Sequence, residues 1–262
     1  MRRGLTAFNR VSLLFGFGFL YLPIFLLVVY SFNASQLVTV WGGFSTRWYA
    51  SLFRNEQLLD AVWVTFRVGL ISATVATILG TFAAVALVRA GRFKGRTLFS
   101  GLVYAPLVMP EVVLGLSLLL LFVAFGLPRG FWTVVIGHAT VTLCYATVVI
   151  QARLAAFDRQ LEEAARDLGC PPFKAFFLVT LPNIAPAVAA AWMLAFTLSL
   201  DDLVIASFTS GPGATTLPMR IYSQVRLGVN PEINAVSTLL IGLVATGVIA
   251  AYLMQLRRRQ DA

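Results

Sequence analysis

The stretch Leu154-Ala155-Ala156-Phe157-Asp158-Arg159-Gln160-Leu161-Glu162-Glu163-Ala164-Ala165-Arg166-Asp167-Leu168-Gly169-Cys170-Pro171-Pro172 decides how this chain is to be read. Leu154, Phe157, Leu161, Ala164, Ala165 and Leu168 recur at three- and four-residue steps, which marks one apolar face of a helix. Gly169 suits the helix C-terminus, and Pro171-Pro172 prevents continuation. A second short helical run, Phe173 to Val179, leads to Leu181-Pro182. The first helix is amphipathic and too short to cross a bilayer, so its apolar face needs a partner. Apolar runs flank it on both sides, 131–152 before and 186–207 after, the second uncharged as far as Asp201. A helix–turn–helix loop, 153–183, therefore hangs from a membrane face between two spans.

Working outward, the same pattern repeats. A spanning helix needs about 20 apolar residues. Charge-free or nearly charge-free runs of that length place spans at 11–32, 65–88, 98–125, 131–152, 186–207 and 234–256. In the third the single charge is Glu111. The fifth is started at Pro186 because prolines interrupt the run before it. The first span follows Arg2 and Arg3 but is too long for the apolar core of a signal peptide and lacks an A-x-A-like site, so it is expected to stay uncleaved. The whole composition agrees: of 262 residues 59% are hydrophobic and 12% charged, against about 25% charged in soluble domains. Mean hydropathy is +0.84. A soluble globular enzyme, a disordered chain and a secreted disulfide scaffold are excluded, and an all-α polytopic membrane protein with six transmembrane helices is expected.

The formal net charge of +9 reads as topology rather than as nucleic-acid binding. Six spans put both termini on one side, with Arg2, Arg3, Arg10, Arg89, Arg92, Lys94, Arg96, Arg153, Arg159, Arg166, Lys174, Arg257, Arg258 and Arg259. The other side has Arg47, Arg54, Arg67, Arg129, Arg220 and Arg226. The termini are thus expected in the cytoplasm. Two long outer loops result, about 33–60 and 208–233. Trp41, Phe44, Trp48 and Tyr49 in the first suit either an interfacial helix on the outer leaflet or a docking surface. Ser210-Gly211-Pro212-Gly213 in the second is turn-forming. Cys144 and Cys170 lie in unlike surroundings and are not expected to pair, and no metal-ligand spacing occurs. His138, alone in an apolar run, is expected as a core or interhelical hydrogen-bonding histidine.

Glu163-Ala164-Ala165, three residues, Gly169, nine residues and Val179-Thr180-Leu181-Pro182 resemble the EAA loop of type I ABC importer permeases, written E-A-A-x3-G-x9-I-x-L-P, with Val179 in place of Ile. The resemblance implies a type I ABC importer permease fold over 1–262, a single transmembrane permease domain. It makes the loop a coupling helix that docks a separate ATPase through Glu163, Ala164, Ala165, Gly169, Leu181 and Pro182. Small residues permit close approach, and a glutamate can pair with a donor on the partner. No Gly-x4-Gly-Lys-Ser/Thr run exists; Gly91-Arg92-Phe93-Lys94-Gly95-Arg96 lacks the spacing. No catalytic residues are expected, no cofactor in this chain, and ATP with Mg belongs on the partner ATPase.

Ionisable residues at membrane depth are functional candidates because burying them is costly. There are three: Glu111, about 20 Å into its span at 1.5 Å per residue, and Asp201 and Asp202. Pro106 and Pro110 make a kinked or broken helix at Glu111 expected, and irregular backbone at depth lines a cavity. The acids either pair with Arg67, Arg220 or a backbone donor, or line the path of a cation, whose lost hydration they replace. An anion path would use Arg, Lys or helix N-termini. Adjacent aspartates on an unbroken helix point about 100° apart. Trp192 could add a cation–π face or be lipid-facing or core.

Ser31-Phe32-Asn33, Trp48-Tyr49, Leu198-Ser199-Leu200-Asp201-Asp202-Leu203-Val204-Ile205, Ser210–Pro218 and Gly228-Val229-Asn230-Pro231-Glu232-Ile233-Asn234-Ala235 resemble the polyamine branch of the family; Leu37–Trp41 and Ser45–Tyr49 are similar to its putrescine-specific members. That implies a permease subunit of a bacterial inner-membrane polyamine importer, with an ATP-binding subunit dimer, a second homologous permease and a periplasmic polyamine-binding protein as partners, the lipid bilayer around it, and no nucleic acid. The competing expectation is a stand-alone secondary transporter or channel for an organic cation, which an inverted internal repeat would favour; none is convincing.

Overall fold

In a computed structural model of the chain, residues 6–37, 40–227, 231–242 and 244–246 are described. Among them the secondary structure is helical, with one isolated bridge between Asn33 and Phe44. The helices are α1 Ala7–Tyr30, α2 Arg47–Leu52, α3 Glu56–Arg89, α4 Arg96–Val108, α5 Glu111–Ala124, α6 Phe131–Ala155, α7 Arg159–Asp167, α8 Pro172–Ala175, α9 Leu181–Asp201, α10 Val204–Thr209 and α11 Leu217–Leu227, with a π-turn, Phe176–Thr180, between α8 and α9. An apolar helical run, Glu232–Thr246, follows.

Among the described residues four helical stretches are long and apolar enough to cross a bilayer: Phe8–Tyr30, Glu56–Arg89, Phe131–Ala155 and Pro172–Asp201. The pair α4/α5 makes a fifth if taken as one broken span. The expected sixth span, 234–256, extends past the described residues, as do Arg2, Arg3 and Arg257 to Arg259.

Two boundaries differ from expectation. The stretch read as one span over 98–125 is two helices bent by 118°. Met109 and Pro110 are both extended, with ψ of 137° and 133°. A residue before proline is pushed out of the helical region, and here two in succession turn the chain. The fifth span begins well before Pro186. Pro182 sits in the first turn of α9, where a missing N–H costs little. Ahead of it the wider π-turn has Leu181 N–H bonding back to the Phe176 carbonyl. Asn183 Nδ2 donates to the Val179 carbonyl at 2.7 Å, one turn back across the junction.

The described chain falls into two compact units. The larger, Asp60–Arg220, is held by small residues at close-packed helix faces. Ala84 on α3, Ala146, Ile150 and Leu154 on α6, and Ile184 and Ala191 on α9 form one buried cluster. Lipid tails are as apolar as leucine, so hydrophobic transfer supplies little here, and packing of small side chains takes over. A second cluster joins Leu114, Leu118 and Phe122 of α5 to Ile205 of α10. The turn after α10 presses on the chain before α6: a Cβ at Gly211 would lie 2.1 Å from the Arg129 carbonyl oxygen. Gly211→Ala is therefore expected to cost about 3 kcal/mol through forced backbone displacement, read as a lower thermal midpoint of the purified protein; an unchanged midpoint would contradict that contact.

In the smaller unit, formed from the described parts of Met1–Leu59 and Ile221–Ala262, the loop after α1 is built around Asn33. Its side chain accepts from Gly42 N at 2.7 Å and donates to the Val40 carbonyl at 2.8 Å, while Trp48 Nε1 donates to the Asn33 carbonyl at 2.7 Å. Tyr49 and Ser31 hydroxyls meet at 2.7 Å, and Phe44 stacks on Phe32. Trp48 and Tyr49 thus stitch the loop, whose helical part is only the six-residue α2. Buried Glu232 accepts from Ser51 Oγ and, at 2.9 Å, from Asn55 Nδ2.

Candidate functional site

Both helix breaks in the larger unit end at acids. Glu111 is the first residue of α5, not a point along a straight helix. There the unpaired backbone N–H groups and the helix dipole favour a negative charge. α9 stops at Asp201, and Asp202 is extended with ψ 121°. Its Oδ1 accepts from Ala206 N at 2.9 Å, so Asp202 caps the following helix α10. α5 and α10 pack together, which brings the two breaks to one place. A cleft of about 250 Å3 is lined by Glu111, His138, Thr142, Tyr145, Ser199, Asp201 and Asp202, with Val141, Leu198, Leu203 and Val204 as its apolar part. All three sequence-derived acids meet there. The 100° problem for adjacent aspartates disappears because the helix ends between them.

His138 is a buried, interhelical hydrogen-bonding histidine, as expected, and it also has an acid beside it. It is 2% exposed. Its Nδ1 lies 2.6 Å from Ser199 Oγ, which takes a 3.1 Å hydrogen bond from Ser72 Oγ. Its Nε2 lies 3.4 Å from Asp202 Oδ1. With Ser199 Oγ donating to Nδ1, Nε2 carries the ring proton, near the carboxylate but without a hydrogen bond to it. The chain Ser72–Ser199–His138 thereby ties α3, α9 and α6 together beside the break. His138, Thr142 and Tyr145 stand at four- and three-residue steps on an apolar helix, a signal in the sequence that would have marked this face. Arg67 is placed against the Phe131 ring instead, 4.8 Å from its centroid. Trp192 stacks on Phe196 at 5.2 Å and donates to Thr74 Oγ1 at 3.1 Å, away from the cleft lining.

The loop 153–183 is the second candidate site. α6 runs on to Ala155 and α7 starts afresh at Arg159, so Leu154 and Phe157 belong to the membrane side and are buried. The restart is set by Asp158, whose side chain accepts from Gln160 N at 3.0 Å. Gly169 has φ +85°. Its N–H bonds the Arg166 carbonyl at 2.9 Å and Cys170 N–H bonds the Ala165 carbonyl at 3.1 Å, a Schellman closure that only glycine accepts without strain. Glu163 and Ala164 are exposed. Glu163 and Gly169 share the rim of a shallow depression with Arg166, Asp167, Cys170 and Pro172. Leu168 is 90% exposed, and Leu161 and Phe173 are also exposed. Leu181 instead packs on the α3/α6/α9 cluster, and Pro182 opens α9. Cys144 is buried and Cys170 half-buried, both as free thiols.

The neighbour of Glu163 faces the other way. Glu162 Oε2 lies 3.6 Å from Arg89 Nε at the end of α3 and accepts from Thr180 Oγ1 at 3.2 Å. Neither Arg89 nor Glu162 was singled out from the sequence, where each reads as an ordinary loop charge.

Comparison with known proteins agrees with this architecture. The family described as "Binding-protein-dependent transport system inner membrane component" matches residues 76–260. The putrescine transport system permease protein PotI of Escherichia coli K12 is 57% identical over 257 residues, 95% of this chain and 92% of its own length. The spermidine/putrescine transport system permease protein PotC of the same strain is 43% identical over 238 residues, covering 91% and 90%. Among solved structures, a chain of a bacterial ABC transporter involved in alginate import superimposes with a TM-score of 0.69 at 17% identity, covering 95% of this chain and 92% of that one. A chain of the MetNI methionine ABC transporter gives 0.62 at 21% identity, covering 74% and 92%; at those identities the likeness is one of fold. The expected fold class holds: the chain belongs to the binding-protein-dependent transport inner membrane components, the type I ABC importer permeases, and within them to the polyamine branch.

Proposed function

We propose that this chain is one transmembrane subunit of an ATP-driven importer of a polyamine, putrescine foremost, and forms half of its path across the bacterial inner membrane. The observation that carries the reading is the convergence of Glu111, Asp201 and Asp202 on one small cleft at two helix breaks. A diammonium leaving water loses hydration at both ends. Each carboxylate about 4 Å away returns about 4 kcal/mol at an effective dielectric near 20. The cleft falls below the roughly 300–1,000 Å3 of drug-sized pockets, which suits a short aliphatic cation whose methylenes rest on Val141, Leu198 and Leu203. Asp202, held by the Ala206 N–H and beside His138, is the most rigidly placed of the three acids. The 57% identity with a putrescine permease supports the same substrate class.

The importer needs more than this chain. α7 with Glu163, Ala164, Ala165 and Gly169, together with Leu181 and Pro182 where the loop rejoins the membrane, is the docking element for an ATPase dimer, which carries the ATP and Mg. A second homologous permease completes the path, and a periplasmic binding protein delivers the polyamine. The termini and α7 lie on the cytoplasmic side in this assignment, as the Lys and Arg distribution supports. The test is reconstitution in liposomes. The full assembly is expected to take up labelled putrescine only with ATP on the ATPase side, with unlabelled putrescine competing better than spermidine, and this chain alone is expected to move none. Uptake by the lone chain, or putrescine uptake unchanged in cells lacking this subunit and every other polyamine carrier, overturns the proposal.

A further inference from the structure

Adjacent glutamates on α7 point about 100° apart, and here the two directions have different consequences. Glu163 is exposed. Glu162 turns toward its own membrane domain, where two groups meet it. Arg89 Nε at the end of α3 stands 3.6 Å from Oε2. Thr180 Oγ1 donates to the same oxygen at 3.2 Å. The Arg89 guanidinium carbon sits 5.6 Å from the centroid of the Phe157 ring, in the break between α6 and α7. The pair is not a surface ornament: the Arg89 and Glu162 side chains are 14% and 23% exposed. Arg89 Nε and Nη2 are buried with no hydrogen-bond partner, so the Glu162 carboxylate is what balances this cation. Removing one partner of a largely buried pair leaves the other charge uncompensated, which exposed pairs escape through solvent.

The position of Thr180 gives the contact its meaning. Thr180 is 1% exposed, ends the π-turn and immediately precedes α9. α9 has 21 residues, about 30 Å at 1.5 Å per residue, and its other end carries Asp201 and Asp202 at the cleft. Beside the packing of α7 on α8 and the π-turn, one carboxylate therefore links α7 to the start of α9 and to the end of α3 together. The π-turn between α8 and α9, wider than an α-turn, is the place where the local winding can absorb or pass on such a pull.

We propose that Glu162 is the internal latch of the coupling element: it does not bind the ATPase but converts displacement of α7 into displacement of α3 and α9, and so of the acids in the cation cleft. The inference rests on the docking role given above to α7. Glu162 is a positioning residue, and its loss separates two quantities that a mere folding defect would lower together.

The experiment uses the complete importer in liposomes, with ATPase co-purification, ATP hydrolysis stimulated by loaded binding protein, and putrescine uptake measured on the same preparations. Glu162→Gln keeps an acceptor for Thr180 and removes the charge facing Arg89. Glu162→Gln and Arg89→Gln are each expected to retain the ATPase and hydrolysis within about twofold, while putrescine moved per ATP falls about tenfold. The double variant is expected to fall no further than either single one, because both remove one interaction. A wild-type ratio in Glu162→Gln overturns the proposal. So does loss of the ATPase in Glu162→Gln alone, which would make Glu162 a docking residue. Failure of the docking role itself registers separately, as an ATPase that stays bound when Glu163 is reversed in charge. Should Glu162→Gln not accumulate, the near-isosteric Thr180→Val carries the same test: a lowered ratio supports the latch and an unchanged one overturns it.

Discussion

Asp202→Asn is expected to lower putrescine uptake by the reconstituted importer about 100-fold, with assembly and the folded yield of the subunit unchanged. The substitution is chosen for what it leaves alone. Asparagine keeps the shape and the Oδ1 acceptor, so the cap on Ala206 N at the start of α10 survives. His138 Nε2, 3.4 Å away, still faces an oxygen. Only the negative charge goes. One carboxylate–ammonium contact is worth about 4 kcal/mol near an effective dielectric of 20. Glu111 and Asp201 remain in the cleft and retain part of the attraction. A net loss of about 2.7 kcal/mol corresponds to about 100-fold. Glu111→Gln, at an exposed position, is expected to cost about tenfold, since water screens it more. Initial uptake rates against putrescine concentration check both. Wild-type uptake in Asp202→Asn would remove the cation path from this cleft.

Glu163→Lys is expected to release the ATPase from the purified complex and to cut uptake about 100-fold, a cost of about 2.7 kcal/mol. Glu163 is exposed and, unlike Glu162, bonds nothing that holds α7 in place. An exposed substitution away from caps and pairs changes stability by about 0.5 kcal/mol or less, so the subunit should fold. In a docked interface the reversed charge would face a group suited to a carboxylate, and such a mismatch costs several kcal/mol. The ATPase retained after detergent purification, quantified against the permease, reads the outcome. A variant that holds its ATPase and transports normally would show that docking does not run through Glu163.

The two sites differ in how far they were legible in the primary structure. The proposed docking loop was nearly complete there. Its helix, its glycine stop and its proline restart are local events, each fixed within five residues by periodicity, by a left-handed φ and by a missing N–H. Even so, the start of α7 was placed at Leu154 rather than Arg159, because the apolar period continues through Phe157 although Asp158 caps a new helix. Glu162 escaped notice for a different reason. Its partners Arg89 and Thr180 lie 73 and 18 residues away, and no local pattern marks which of two adjacent glutamates turns inward.

The proposed cation cleft was legible only as a set of components. That Glu111, Asp201 and Asp202 interrupt or end apolar runs follows from the sequence alone, where a charge in such a run is conspicuous and costly. The chain composition likewise settles an all-α membrane fold, because helices satisfy their own backbone groups in lipid and 12% charge cannot clothe a soluble surface. What the tertiary structure alone decided is convergence. Glu111 and Asp202 are 91 residues apart. They meet because Met109-Pro110 turns α5 through 118°, because α9 ends between the two aspartates, and because α5 packs on α10. His138 acquires its acid by the same packing. A sequence encodes local propensity and burial directly, whereas the meeting of distant charges depends on the angle at two helix breaks and on which small faces allow close approach, and those are properties of the packed helices together.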